Sequence, residues 1–120
     1  MARDFHNIKA WKHAHQLTLD VYRAPSAFPN EEKFGITSQV RRASASVGAN
    51  IAEGSARGTM ADYLRFLDIA RGSLRETDNF LLLAKDLSLL PAARFEMLQN
   101  QLNETGRTLT GLIKAIRNNR

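Results

Sequence analysis

The sequence predicts an all-α protein, an antiparallel up-and-down four-helix bundle that fills one domain, residues 1–120. Three observations predict it. Four segments of helical length carry apolar residues at i, i+3 and i+4 spacing. Three short breaks separate them: APSAFPNEEKFG at 24–35, RGT at 57–59 and SLLP at 88–91. No segment sustains the apolar–polar alternation with β-branched residues that marks a strand. Three prolines and seven glycines leave little room for further turns, and 120 residues suffice to bury a core.

The first segment, 7–23, places Ile8, Trp11, Ala14, Leu17, Thr18 and Val21 on one side, with Lys9, Lys12 and His13 on another. The second follows Thr37 or Ser38, either a suitable N-cap, and sets Val40, Ala43, Val47, Ile51 and Gly54 at helical spacing. The third begins TMAD, with Thr59 as N-cap and Asp62 three residues on, close to a capping box. Its stripe comprises Tyr63, Phe66, Leu67, Ala70, Leu74, Thr77, Leu81 and Ala84. Beside that stripe Phe80, Leu83, Leu87 and Leu90 form a second line. A helix apolar on two sides is either central in its bundle or packed against another subunit. The fourth segment starts at Pro91, suited to a first helical turn, and continues through Phe95, Leu98, Leu102, Leu109, Leu112, Ile113 and Ile116.

Within the second segment, ten of the fourteen residues from Ala43 to Ala56 are Ala, Ser or Gly. Such a stretch suits a phosphate loop, a linker or a closely packed helix. The phosphate loop fails on spacing, because Gly48 and Gly54 are followed by no Lys-Ser or Lys-Thr and no GxGxxG occurs. As a helix the stretch makes sense: alanine is the best helix former, and small side chains let two backbones approach closely.

Composition excludes several functions. No cysteine means no disulfide and no thiol catalysis, and leaves histidine and carboxylates as the only metal ligands. The histidines His6, His13 and His15 all fall in the first segment, and the E-x-x-H pair of a di-metal bundle is missing. Hence no catalytic residue, no metal and no cofactor are expected. No apolar run approaches the roughly 18 residues of a membrane span. MARDFHNIKAW lacks the apolar core of a signal peptide, so the expected address is cytoplasmic.

The polar residues that remain fall into two sets. Asn50 and Glu53 lie three apart on a helix of small neighbours, and Ser73 and Glu76 repeat that arrangement on the third segment. These four are read as a buried structural polar lock, with Arg41, Arg42, Arg57 or a base of the third segment as partners for the acids. The second set is basic. Net charge is +5, from twelve arginines and five lysines against 12 acids. Arginine excess suits bidentate contact with phosphate or carboxylate. Arg71 with Asp68 and Arg75 with Asp78 have i,i+3 spacing and suit a solvated ion-pair surface. Arg41, Arg42, Arg57 and Arg65 lack so obvious a local partner. Beyond Glu104 the chain carries Arg107, Lys114, Arg117 and Arg120 and no acid, charges that also complement a helix C-terminus. Arg41, Arg42, Arg57, Arg65, Arg117 and Arg120 are therefore the candidate nucleic-acid contacts. They would act on phosphates by charge and shape, since few aromatics look exposed for base stacking.

SQVRRASASVGANIAEGSARG, with AW ahead of it, FP-x-x-E in the first break and FLDIARGSLRET behind, resembles the 23S rRNA-intervening sequence proteins. That four-helix family also includes the accessory variability protein of diversity-generating retroelements. The resemblance runs from Ile8 to about Ile116, and the combination of RRA, NIAEG and IA-x-GS-x-x-E carries its specificity. Motif positions present here are Gln39, Arg42, Ala43, Asn50, Glu53, Gly54, Ala70, Ser73 and Glu76; Arg71 stands where the motif is free. The resemblance implies an up-and-down bundle assembled as a ring-like homopentamer, with no cofactor and no known catalytic residue. For accessory members it implies basic scaffolds that engage a reverse transcriptase and nucleic acid. The expected function is thus a non-enzymatic, oligomeric nucleic-acid-binding accessory protein. The alternative is a protein-interaction scaffold, for instance for a reverse transcriptase or another nucleic-acid enzyme.

Overall fold

The computed structural model describes residues 3–24 and 35–119. Residues 25–34 of the first break, and Arg120 among the candidate contacts, lie outside the described residues. After a 3-10 turn at Phe5–Asn7 come α1 (Lys9–Arg23), α2 (Ile36–Ser55), α3 (Met60–Asp86) and α4 (Ala92–Asn118). They pack as an antiparallel four-helix bundle. Cross-helix contacts fix the order. Thr18 Oγ1 donates to the Ser44 carbonyl at 2.9 Å, tying α1 to α2. Ser46 and Ser73 hydroxyls meet at 2.9 Å between α2 and α3. Arg117 lies 3.8 Å from Asp68 between α4 and α3, and Gln101 Nε2 donates to Asp20 between α4 and α1.

The core runs the length of the bundle and consists of the expected stripes. Ala14, Leu17 and Val21 of α1 meet Val40, Val47 and Ile51 of α2, Leu67, Leu74 and Leu81 of α3, and Leu98, Leu102, Leu109 and Ile113 of α4. All eight residues of the α3 stripe are buried. The α1 stripe is narrower than its periodicity suggests: Ile8, Trp11 and Thr18 sit at the rim, half-buried, and Ala10 takes a core position. Buried Thr77 and Thr105 satisfy their hydroxyls on the carbonyls four residues back, at 2.8 Å each, so neither costs an unpaired polar group.

The helix ends differ from expectation at two points, and α3 ends where the break at 88–91 is expected. Helix α2 begins at Ile36, not after Thr37 or Ser38, and Gly35 occupies its N-cap. Ile36 and Thr37 both face the core from the first turn of the helix. Pro91 stands just before α4, with extended ψ, and its carbonyl accepts from Phe95 N–H at 2.9 Å. Helix α3 stops through Ser88, which takes φ of 60°. Leu89 N–H then reaches the Ala84 carbonyl and Ser88 N–H the Lys85 carbonyl, at 2.9 Å each, the two bonds of a Schellman ending. The cap at Thr59 forms as expected, its hydroxyl accepting from Asp62 N–H at 3.1 Å.

The small residues of α2 do bring helices together, at one point above all. A Cβ on Gly54 would stand 2.7 Å from Phe66 Cβ and 3.2 Å from Tyr63 Cδ1. One on Gly48 would meet Trp11 Nε1 at 3.4 Å, an ordinary contact.

Of the second apolar line on α3, Leu90 turns into the core, Phe80 is half-buried, and Leu83 and Leu87 are exposed. Exposed Leu82 joins them at the surface. The line therefore serves the core at its two ends, Phe80 and Leu90, and leaves its middle at the surface.

Candidate nucleic-acid interface

The polar residues of α2 and α3 form a seam rather than a buried knot. Asn50 Nδ2 donates to the Ser46 carbonyl at 2.8 Å and to its hydroxyl at 3.0 Å, and that hydroxyl meets Ser73. One turn along, Glu76 pairs with Arg42, whose guanidinium also donates to Gln39 Oε1. The expected lock of Asn50, Glu53, Ser73 and Glu76 is thus corrected. Asn50 and Ser73 are joined through Ser46, which sequence reasoning passed over although it lies four residues before Asn50. Glu76 is partly exposed, at 38% of its side chain. Glu53 stands outside the seam: its side chain is 55% exposed and it pairs with Arg57 at 2.7 Å, four residues on. A carboxylate on the outer face keeps its hydration, so nothing compels burial.

The candidate arginines do not form one patch. Arg41 is held against α1, donating to the Tyr22 carbonyl at 2.8 Å with its guanidinium 5.1 Å over the Tyr22 ring. Arg42 belongs to the seam just described. Arg57 and Arg65 do converge: both guanidiniums lie over the Phe66 ring, at 4.5 and 4.6 Å. Both also have acids within reach, Glu53 for Arg57 and Asp62, at 3.8 Å, for Arg65. Of the partners offered for the acids, Arg57 takes Glu53 and Arg42 takes Glu76 across helices, while Arg65, which had no obvious local partner in sequence, has Asp62. Arg117 shares Asp68 with Arg71. These are exposed pairs, worth about 0–1 kcal/mol each, and they leave the guanidiniums available to other anions.

Arg3 completes this end of the molecule. Its guanidinium donates to the carbonyls of Ser55, at 3.0 Å, and Arg57, at 3.4 Å, and stacks 4.5 Å over Tyr63. It thereby covers the open carbonyls at the C-terminus of α2. No local signal announces this contact, which spans 52 residues of sequence. Burial pushes the Tyr63 phenol up, against the opposing charge of Arg3.

A groove of about 580 Å³ runs between α3 and α4. Arg71, Leu74, Arg75 and Asp78 line it from α3, and Leu102, Asn103, Gly106, Arg107, Thr110, Gly111 and Lys114 from α4. Arg71 and Arg75 form their expected pairs with Asp68, at 3.3 Å, and Asp78, at 3.9 Å. Arg107 pairs with Glu104, and that hydrogen bond, with the charge behind it, holds the Glu104 carboxyl below its usual range. Among the described residues Lys114 has no acid partner. None of the described residues forms a group of three or more potential metal ligands. No helix of the described residues is long and apolar enough to cross a membrane.

This fold carries a family signature. The model for "23S rRNA-intervening sequence protein" matches residues 6–111. The chain belongs to that family. Among solved structures, it is similar to a protein of unknown function from the S23 ribosomal protein family of Bacteroides thetaiotaomicron. The two share 25% identity over 88% of this chain and 95% of that one, with a TM-score of 0.81. Among curated proteins, none matches. Of the residues that carried the resemblance, Gln39, Arg42, Asn50, Ser73 and Glu76 lie in the polar seam between α2 and α3, and Gly54 lies at a close approach of the two helices.

Proposed function

We propose that the chain is a non-enzymatic, homo-oligomeric accessory protein of the cytoplasm that binds nucleic acid through its phosphate backbone. The observation that carries this reading is the gathering of cations at the α2–α3 turn. Arg3, Arg57, Arg65 and Arg117 lie there with Lys114 and Arg71 nearby, against Glu53, Asp62 and Asp68. Arginine forks suit phosphate oxygens, and an excess of positive charge draws a polyanion. Of the candidate contacts, Arg57, Arg65 and Arg117 fit this role. Arg41 and Arg42 are engaged between helices. Combined R57Q/R65Q/R117Q should lower affinity for structured RNA across sequences and flatten its salt dependence, with helicity retained. Unchanged binding would remove these residues from the site.

The exposed leucines Leu82, Leu83 and Leu87 support a second reading, a protein-interaction scaffold built on the same bundle. A nuclease-resistant protein partner recovered from the native host would favour it, and recovery of nucleic acid alone would count against it. For the oligomer itself we propose the ring-like homopentamer that the family resemblance implies. A strictly monomeric mass by light scattering would refute it.

A further inference from the structure

We propose that the α3–α4 groove is the track that holds the phosphodiester backbone of a single nucleic-acid strand. The proposal rests on the nucleic-acid reading above and places its main contact. The groove presents cations from both walls, Arg71 and Arg75 from α3 and Arg107 and Lys114 from α4. The Arg117–Asp68 contact sets the antiparallel register of these helices, so Arg71 lies opposite Lys114 near the cationic end of the bundle, with Arg75 and Arg107 farther in. A phosphate between Arg71 and Lys114 would thus meet positive charge from two sides, while farther in the α3 wall also carries Asp78.

Three features favour a phosphate chain over an acidic amphipathic helix, the other polyanion a cationic groove attracts. The leucines of the floor, Leu74 and Leu102, are only 5% and 6% exposed, so they offer no apolar knob-holes to a docking helix. The floor also includes Gly106 and Gly111, and a Cβ at Gly111 would meet nothing within 4 Å. That bareness admits close approach of a backbone without offering side chains to pack against. Finally, the ion pairs in the way, Arg71–Asp68, Arg75–Asp78 and the closer Arg107–Glu104, are all solvent-exposed. Arg75 is 87% exposed and 3.9 Å from Asp78, and Lys114 faces no acid among the described residues. A phosphate can therefore replace these partners at little cost. A groove of about 580 Å³ can take in the backbone of one strand and is too small to take in a duplex.

The test uses the full chain and fluorescence anisotropy with a labelled single-stranded RNA of mixed sequence, over a salt series. Neutralising the groove, R71Q/R75Q/R107Q/K114Q, should weaken binding at least about tenfold and reduce the log–log salt slope by about 0.7 for each phosphate no longer engaged. A charge-matched variant away from the groove, K12Q/R23Q/K85Q/R94Q, should weaken it less than about threefold. As an independent check, T110E places one negative charge in the groove and should weaken binding severalfold with circular dichroism unchanged. Equal weakening by the two charge-matched variants, or an unaffected T110E, would overturn the groove while leaving the nucleic-acid reading in place. Competition by duplex as effective as by single strand would overturn the single-strand assignment. Absence of binding by the unmodified protein would instead overturn the nucleic-acid reading, and the groove with it.

Discussion

Replacing Gly54 by alanine adds one methyl group at the tightest contact between α2 and α3. The new carbon would lie 2.7 Å from Phe66 Cβ, 3.2 Å from Tyr63 Cδ1 and 3.4 Å from the Tyr63 carbonyl oxygen. Carbon atoms in contact rest at about 3.5–4.0 Å, so the nearest pair is short by roughly 1 Å. Neither neighbour can swing aside. A Cβ is fixed to its helix, and the carbonyl is part of one, so α2 and α3 must separate along a seam that also holds Ser46–Ser73 and Arg42–Glu76. Overpacking of this kind costs about 1–3 kcal/mol. Alanine returns about 0.5–1 kcal/mol through its better helix propensity. Because the overlap is with atoms fixed to the backbone, the cost falls in the upper part of the overpacking range, and the net expectation is a loss of about 1–2.5 kcal/mol. Gly48 is the control on the same helix. Its added carbon would meet Trp11 at 3.4 and 3.6 Å, so G48A should be neutral or stabilising by up to about 1 kcal/mol. Both variants are read by denaturant unfolding against the parent at one protein concentration, since assembly shifts apparent stability. A G54A protein as stable as the parent, or a G48A protein destabilised as much as G54A, would refute the close approach of α2 to α3.

Other predictions concern helix ends and titration. Ser88 holds a left-handed backbone at the end of α3, so S88G should stabilise by about 0.5–1 kcal/mol in the same assay. T59A removes the side-chain cap of α3 and should cost about 1 kcal/mol. Burial raises the Tyr63 phenol above its ordinary value of 10.0, which favours the neutral form in the folded chain. The stability this adds is present in full below the unfolded value and is lost as pH rises through the folded one. In a Y22F variant, where Tyr63 is the remaining tyrosine, tyrosinate absorbance should appear above pH 10.0. Ionisation at or below that value with the fold intact would contradict its burial.

The helices are legible in the sequence because a 3.6-residue period is a local property. Every residue of the α3 stripe is buried, and so are Val40, Ala43, Val47, Ile51 and Gly54 of α2. The breaks are legible for the same reason, with Thr59 capping α3 as its sequence suggests. Partnerships across helices are not. Arg42 finds Glu76 across 34 residues and Arg3 finds Ser55 across 52, and no spacing rule selects those pairs. The small neighbours of Glu53 in sequence suggest burial, but small neighbours do not decide which side of a helix faces water. The α3–α4 groove is hidden in another way. Arg71 and Arg75 look like ordinary ion-pair residues in sequence, and Arg107 and Lys114 like the close of a helix. Only the antiparallel packing of α3 against α4 brings them to one site.

The proposed phosphate contact is concentrated at the cationic end and the α3–α4 groove of the bundle. The most direct measurement is the equilibrium affinity of the unmodified protein for single-stranded RNA across a salt series. Phosphate contact predicts binding whose logarithm falls linearly with the logarithm of salt concentration, with a slope of about 0.7 per phosphate engaged. Binding that is absent at low salt, or that does not weaken as salt rises, would contradict it.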